Sequence, residues 1–319
     1  MTIQPQSIPT ANKMFAPTTD AYGSRLALVF GNESHTGACP FYGHGCFHCD
    51  IGAGEGPFTP DLNMQRLEFY KQNYTEVLSK LDHLVLYNSG SLLNEHELSS
   101  KTLQALLTFA RSLPNCRIVS IDSREMFVTR EKIQEIINGL RLDQKLRITF
   151  GLESQDDHIR CSVLAKRMTK VAIEQAFNIL SQFKEQAGAE LNMVFQAPGV
   201  EESKSIIDSN NTIRYGLELS KKYQIPVDFN FHPYYPSISG TKHFPNHPRS
   251  QLEDAVSAIT QGIAIIKESG CSSKLYIGWN DEGHDQDEKQ RAQETHNHLA
   301  GFIDFNQTQD PQHLKIEAY

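Results

Sequence analysis

The feature that most constrains the fold of this chain is a regular alternation of short apolar runs with longer segments of helical periodicity. Between the runs, apolar residues recur at helical spacing, as in Leu103, Leu106 and Ala110. Six strand–helix units in series predict a parallel sheet covered by helices. The predicted strands lie at 25–32, 83–91, 116–125, 145–154, 189–199 and 227–236, with a short seventh strand at 274–279.

The helical segments and the absence of a convincing linker favour one domain. The first helix is predicted at 62–81 because Thr59-Pro60-Asp61 is a helix-start signal. A length of 319 residues would suit two domains or one barrel-like domain. We predict a polar N-terminal arm at 1–24, a core at 25–270 and a C-terminal extension of the same domain at 271–319. Later helices are predicted at 202–222, 250–268 and about 285–300.

Composition narrows the class of protein. Hydrophobic residues make up 39% of the chain and charged residues 21%, as in soluble globular proteins. The sequence contains no run of about 18 apolar residues, which is the length needed to span a bilayer. Its N-terminus lacks the apolar stretch of a secretory signal. We therefore expect a cytoplasmic protein without a membrane partner. The net charge of −8 disfavours a general nucleic-acid binder, although a local basic patch could still contact RNA.

Unusual residues follow every long strand of the predicted sheet. In parallel α/β folds, ligands bind at the carboxyl ends of the strands. Each motif alone is ordinary turn chemistry, but six of them on one face predict a large site. The motifs are the cysteine loop, NSGS, DSRE, GLES, QAPG and HPYYP, in strand order.

The first of these motifs, GACPFYGHGCFHCDIGAGEG at 37–56, holds Cys39, Cys46 and Cys49. Reducing conditions in the cytosol disfavour structural disulfides. A Cys3His zinc site with His44 or His48 is one alternative, but zinc sites usually use two close cysteine pairs. A 4Fe–4S cluster is the other, because three thiolates would leave one iron open to a small molecule. The sequence favours the cluster and leaves zinc as an alternative.

With these cysteines and strand ends, residues 25 to 235 resemble the radical S-adenosylmethionine (radical SAM) superfamily. The resemblance is to the branch of the elongator catalytic subunit and the oxygen-independent coproporphyrinogen oxidase. It implies an α/β fold, a partial (β/α)6 TIM-like barrel. It also implies a 4Fe–4S cluster whose open iron chelates S-adenosylmethionine (SAM), and reductive cleavage of SAM to a 5′-deoxyadenosyl radical. An external electron donor of the flavodoxin or ferredoxin type is implied as a partner.

The resemblance also implies roles for particular residues. Cys39, Cys46 and Cys49 match the catalytic cluster ligands. A glycine-rich turn that meets the SAM amino group matches Asn88, Ser89, Gly90 and Ser91. Polar side chains of the third strand that approach SAM match Ser120 and Asp122.

The later strands supply the remaining implied contacts with SAM. Glu153 of GLES matches a carboxylate that accepts from the ribose hydroxyls. Asn192 and His232 match positions on the adenosine and substrate side. Three cations could face the SAM carboxylate. These are Arg160, Lys166 and Arg167.

Two departures from the family pattern concern the cysteine loop. The spacing is C-x6-C-x2-C, whereas three residues is the commonest first gap. The residue before the third cysteine, often an aromatic residue close to adenine, is His48, whose imidazole can stack or hydrogen-bond. Spacing variants occur in the superfamily, so this spacing bears more on which branch the chain resembles than on the resemblance to the superfamily.

Other residues extend the predicted site towards a substrate. Tyr234 and Tyr235 follow the sixth strand, and Trp279 and His284 follow the short seventh. The acidic balance favours a small-molecule substrate. A tRNA-modifying enzyme, transfer of a 3-amino-3-carboxypropyl group from SAM, and a non-enzymatic zinc-stabilised binding protein remain alternatives.

Overall fold

The computed structural model describes residues 17–54, 56–278 and 299–314. Its eight strands form one nearly closed barrel in which strand order follows chain order. The first two strands pair antiparallel, and every later pair is parallel. The strands are β1 (Thr18–Asp20), β2 (Gly23–Phe30), β3 (His83–Asn88), β4 (Ile118–Asp122), β5 (Lys145–Glu153), β6 (Ala187–Phe195), β7 (Val227–Pro233) and β8 (Leu275–Ile277).

Helices follow the strands, and several begin with a side-chain cap. The hydroxyls of Thr59, Ser99, Thr129 and Thr169 each accept a bond from a backbone N–H in the first turn. None of the helices described is long and apolar enough to cross a membrane. The helices are α1 (Pro60–Asn73), α2 (Thr75–Ser79), α3 (Ser100–Ser112), α4 (Arg130–Gly139), α5 (Lys170–Ser181), α6 (Ser205–Tyr223), α7 (Ile238–His243), α8 (Leu252–Ser269) and α9 (Leu299–Thr308).

The alternation of side chains along each strand separates two kinds of interior. Leu84 and Leu86 of β3 join the large apolar core between sheet and helices. Val85, between them, belongs to a small separate cluster, and His83 bonds to polar groups of neighbouring strands. The helix-facing surface is therefore apolar, while the inside of the barrel carries many polar and charged groups.

At the amino ends of the strands these inward groups form a set that we call the basal network. His83 lies 2.5 Å from Asp20 through Nδ1 and 2.7 Å from the Ser120 hydroxyl through Nε2. Arg147 donates to Asp228 at 3.1 Å. Each member is hydrogen-bonded or ion-paired to another member. The members are Asp20, Tyr22, Arg25, His83, Ser120, Arg147, Glu190 and Asp228.

The predicted parallel α/β barrel is confirmed, with three local differences. Thr18–Asp20, assigned to the arm by its polar sequence, is strand β1, because the Asp20 carboxylate is buried against His83. The predicted helix 62–81 is two helices that meet at Tyr74. After β5 the chain makes a π-helical turn at His158–Val163 before α5. Most of the helix predicted at about 285–300 lies outside the described residues.

Candidate active site at the carboxyl ends of the strands

A cavity of about 170 Å³ opens at the carboxyl ends of the strands. All three cysteines of the first loop line it, and none of them forms a disulfide. Most of the residues predicted from the other strand ends lie in the same wall. The predicted residues that line the cavity are Cys39, Cys46, His48, Cys49, Asn88, Gly90, Ser91, Asp122, Glu153, Lys166, Asn192, His232 and Tyr235.

Backbone bonds hold the cysteine loop in a fixed shape. The Cys39 amide donates to the Gly52 carbonyl at 2.9 Å, and the Cys49 amide donates to the Cys46 carbonyl at 2.8 Å. The Cys46 amide also donates to the Ala165 carbonyl at 3.4 Å. The loop is thereby attached to the segment that follows the π-helical turn.

A second set of bonds attaches the loop to the region after β7. The Ser237 hydroxyl donates to the His48 carbonyl at 2.9 Å. The Asp50 carboxylate accepts from the first amides of α7, those of Ile238 and Ser239, at 2.6 and 2.8 Å. The cysteines are thus held from both sides by parts of the chain more than a hundred residues away.

Burial disfavours the thiolate form of two of these cysteines. Burial raises the pKa of Cys39 to about 11. Burial, together with the charge of Cys46, raises the pKa of Cys49 to about 12. Among the described residues, no three Cys, His, Asp or Glu side chains converge closely enough to hold one metal ion. The three cysteines nevertheless line one cavity.

The turn after β3 presents an unsatisfied side chain to the cavity. Asn88 is 1% exposed, and neither atom of its amide group has a hydrogen-bond partner. The Glu97 carboxylate accepts from the Ser91 amide and lies so close to Gly90 that a side chain there would overlap it. An unpaired buried amide is costly, so Asn88 is suited to bind a ligand.

Glu153, at the end of β5, forms a buried ion pair inside the cavity wall. Its carboxylate lies 2.5 Å from the Lys166 ammonium and 3.5 Å from Nε2 of His48. Burial alone would favour the neutral acid, but Lys166 and His48 outweigh it and hold the pKa of Glu153 well below its usual range. Glu153 is therefore an ionised acceptor facing the cavity.

The end of β4 and the residues just after it contribute a carboxyl group and a guanidinium cation. Burial raises the pKa of Asp122 to about 7, so this carboxyl can exchange a proton near neutral pH. Two residues later, the Arg124 guanidinium lies over the Phe41 ring at 3.7 Å. Its Nη1 is 3.9 Å from the Cys46 sulfur. Both side chains line the cavity.

The far wall of the cavity comes from β6 and β7. Asn230 donates to Asn192 at 2.8 Å, which orients the Asn192 amide. His232 Nδ1 lies 3.3 Å from the Gly278 carbonyl. Tyr235, just after β7, adds aromatic surface, and Tyr87 of β3 also lines the cavity. This wall combines hydrogen-bonding groups with flat apolar faces.

Several predicted residues lie outside the cavity wall. Ser120 belongs to the basal network. The backbone carbonyl of Ser89 accepts a hydrogen bond from the Asn32 side chain. Arg160 is fully buried and donates to the carbonyls of Ser154 and Met168. Arg167 is exposed beside the His44 carbonyl.

The predicted substrate residues divide in the same way. Tyr235 lines the cavity, but Tyr234 is buried next to it, with its ring 4.9 Å from that of His247. Trp279 and His284 lie outside the described residues.

Two features of the site were missed at the level of sequence. Arg124 stands in the strand-end segment that contains Asp122, so its position at a strand end was the available signal. Asp50 follows the third cysteine directly and had no signal, because its partners lie in α7.

The chain is similar to two curated proteins over part of its length, and no model of a known protein family matches it. An uncharacterised protein of Methanocaldococcus jannaschii is 23% identical over 179 residues, which are 55% of this chain and 48% of that protein. The archaeosine synthase subunit beta of Methanosarcina acetivorans is 30% identical over 84 residues, which are 26% of this chain and 24% of that subunit. The chain thus matches half or less of each relative.

Two solved structures share the fold of this chain. A radical SAM methyltransferase from Sphaerobacter thermophilus superposes with a TM-score of 0.51 at 13% identity, over 80% of this chain and 66% of that one. SuiB of Streptococcus suis also superposes with a TM-score of 0.51, at 9% identity, over 79% of this chain and 49% of that one. At these identities the likeness shows a shared barrel fold.

Proposed function

We propose that the chain is a radical SAM enzyme whose cluster is held by Cys39, Cys46 and Cys49. The observation that carries the proposal is the shared cavity, in which three free thiols of one loop face the unsatisfied amide of Asn88. Three thiolates would leave one iron of a 4Fe–4S cluster open to SAM, whereas a structural zinc site usually takes four protein ligands. The radical SAM fold of the barrel adds support.

When bound, the cluster and SAM supply the chemistry, a one-electron cleavage of SAM to methionine and a 5′-deoxyadenosyl radical. The residues of the chain bind, orient and enclose these groups. The three thiolates hold the cluster, and the Asn88 amide contacts the amino-acid part of SAM. The ionised Glu153 carboxylate accepts hydrogen bonds from the ribose hydroxyls.

We assign the remaining wall of the cavity to the substrate. Asp122 can give or take a proton near neutral pH, and Asn192 and His232 supply oriented polar atoms. The acidic net charge of the chain favours a small molecule over RNA as the substrate. The electron comes from an external low-potential donor of the flavodoxin or ferredoxin type.

The test is anaerobic purification with iron and sulfide quantitation, followed by dithionite, SAM and chromatography of the products. About four irons per chain and the formation of 5′-deoxyadenosine are expected. Methylthioadenosine in its place would indicate transfer of the aminocarboxypropyl group. Zinc without iron or sulfide after careful reconstitution would contradict the proposal.

A further inference from the structure

Arg124 occupies the corner where the cysteine loop meets the segment after the π-helical turn. Its guanidinium lies over the Phe41 ring, 3.7 Å from the ring centre, within the loop. The Nη2 atom donates to the Lys166 carbonyl at 2.5 Å. The side chain is only 12% exposed. One buried cation thus contacts both segments that frame the cavity on this side.

The same guanidinium reaches a cysteine. Nη1 lies 3.9 Å from the Cys46 sulfur, with a geometry that allows an N–H···S bond. The nearest carboxylate, that of Glu125, lies at 3.8 Å from Nε and does not hydrogen-bond to it. The guanidinium thus lies about equally far from the Glu125 carboxylate and the Cys46 sulfur, and of these two contacts the one with the sulfur has hydrogen-bond geometry.

Net charge and hydrogen bonds to the sulfurs set the reduction potential of an iron–sulfur cluster. A cation that lies within reach of one ligating sulfur, and away from bulk water, stabilises the more negative, reduced state. Lys166, the other buried cation near the thiols, is already paired with Glu153 at 2.5 Å. Lys166 also interacts with the charge of Cys46, but Arg124 places an N–H within hydrogen-bond reach of the Cys46 sulfur.

We propose that Arg124 is a positioning residue that clamps the Cys46 side of the cysteine loop and favours the reduced state of the cluster. The inference rests on the proposed function for its cluster, but the clamp acts in the cluster-free protein as well. It names a residue outside the set of SAM contacts, and it predicts two readouts that are independent of turnover.

The first readout is the midpoint potential of the reconstituted cluster, measured without SAM by a redox titration followed by electron paramagnetic resonance. Arg124→Gln is expected to make reduction at least tenfold less favourable, which is about 59 mV more negative for one electron. Arg124→Lys keeps the charge and is expected to recover most of the potential. Arg117→Gln removes an exposed arginine just before the opposite end of β4, and no shift is expected.

The second readout is amide hydrogen exchange of the cluster-free protein. The amides of Cys46 and Phe47 donate to the carbonyls of Ala165 and Leu164. In the Arg124→Gln protein the guanidinium contacts are lost, so these two amides should exchange their hydrogens at least severalfold faster. The amides of β4 should keep their rates. Arg124→Lys, which lacks the planar stack on Phe41, should show an intermediate rate.

The outcomes separate this inference from the proposed function. A wild-type protein that takes up no iron would overturn the proposed function. The hydrogen-exchange measurement would still test the role of Arg124 in holding the cysteine loop. A loaded Arg124→Gln protein with unchanged potential and unchanged exchange would overturn the inference. So would a loss of SAM affinity alone, which would make Arg124 a ligand of SAM. If Arg124→Gln does not load, a lysine variant with near-wild-type potential and faster exchange supports the inference, and a lysine variant with wild-type exchange rates overturns it.

Discussion

The two ends of the barrel interior are both polar, but they satisfy their polar groups in opposite ways. In the basal network every side chain pairs with another member, as in the 2.5 Å contact of His83 with Asp20. At the carboxyl ends, Asn88, Nδ1 of His48 and Nε of Arg124 are buried without hydrogen-bond partners. The same sheet thus carries a closed set of interactions at one end and an open set at the other.

The contrast separates stability from binding within one fold. A buried ion pair costs desolvation, and the loss of one partner leaves an uncompensated charge. The basal network holds the strands in register, because its pairs join β1 to β3 and β5 to β7. The open end keeps unpaired groups that a ligand can satisfy. Substitutions at the two ends should therefore differ in what they damage.

The largest expected effect is at the open end, for Cys46→Ala. This variant is expected to lose SAM cleavage completely while it unfolds at the same temperature as the cluster-free wild type. Removal of one of three thiolates leaves too few ligands for the cluster. Product chromatography after anaerobic reconstitution and a thermal melt give the two values. Cys271→Ala, outside the cavity, is the matched control, and equal loss in both variants would remove the special role of the loop.

The second effect concerns the closed end, for Asp228→Asn. Asp228 accepts from the Tyr22 hydroxyl, from Arg147 and from the Lys274 amide. Its neutralisation leaves the Arg147 charge buried, so we expect the free energy of unfolding to fall by about 3–5 kcal/mol. Urea titration of the cluster-free protein measures it.

The control for this variant is Asp143→Asn, in an exposed pair with Arg117. That change should cost less than about 1 kcal/mol. If both variants lose the same stability, the basal network is not a special source of stability, and the contrast between the two ends fails.

A third effect returns to the open end, for Glu153→Gln. We expect SAM affinity to fall about tenfold to a hundredfold, because hydrogen bonds to a charged acceptor contribute roughly 1.5–3 kcal/mol. Iron content should change little. Calorimetry with SAM and iron quantitation make the comparison, and an unchanged affinity would withdraw the ribose assignment.

The last effect is a pH dependence of stability at the open end. The pKa of Asp122 is raised from 3.8 to about 7 in the folded chain. The folded state therefore holds this proton more tightly than the unfolded state, and stability is lost as pH rises from about 4 to 7. Asp122→Asn should remove this loss, so the variant gains melting temperature relative to cluster-free wild type at pH 8 but not at pH 4. An equal difference at both pH values would contradict the assignment.

Much of the fold could be predicted because strand and helix patterns are local. Runs such as HLVLYN between helical segments specify a buried parallel strand, and the strands pair in chain order. Strand β1 could not be predicted, because its sequence TTD has no apolar pattern and its stability comes from Asp20 and His83 far apart in the chain. The break at Tyr74 likewise has no strong helix-stop residue.

The candidate site was predictable where function clusters at strand ends, as for Asn88 and Glu153. The position of a side chain could not be predicted where its chemistry suits both a ligand contact and a structural contact. Arg160 has the chemistry of a carboxylate ligand, yet its guanidinium is used to hold the carbonyls of Ser154 and Met168. Which role a cation takes depends on its distance from backbone acceptors, and sequence spacing does not report that distance.

The bonds from the cysteine loop to the start of α7 have a consequence for biogenesis. They join residues 188 and 189 positions apart, and contacts of such separation close only after the intervening chain has been made and folded. The ribosome must therefore release the segment around Ser237 before the cysteines reach their final arrangement. If the loop holds the proposed cluster, we expect the cluster to load only after these contacts have formed. A truncation that ends before β7 should keep all three cysteines and still bind no stable cluster.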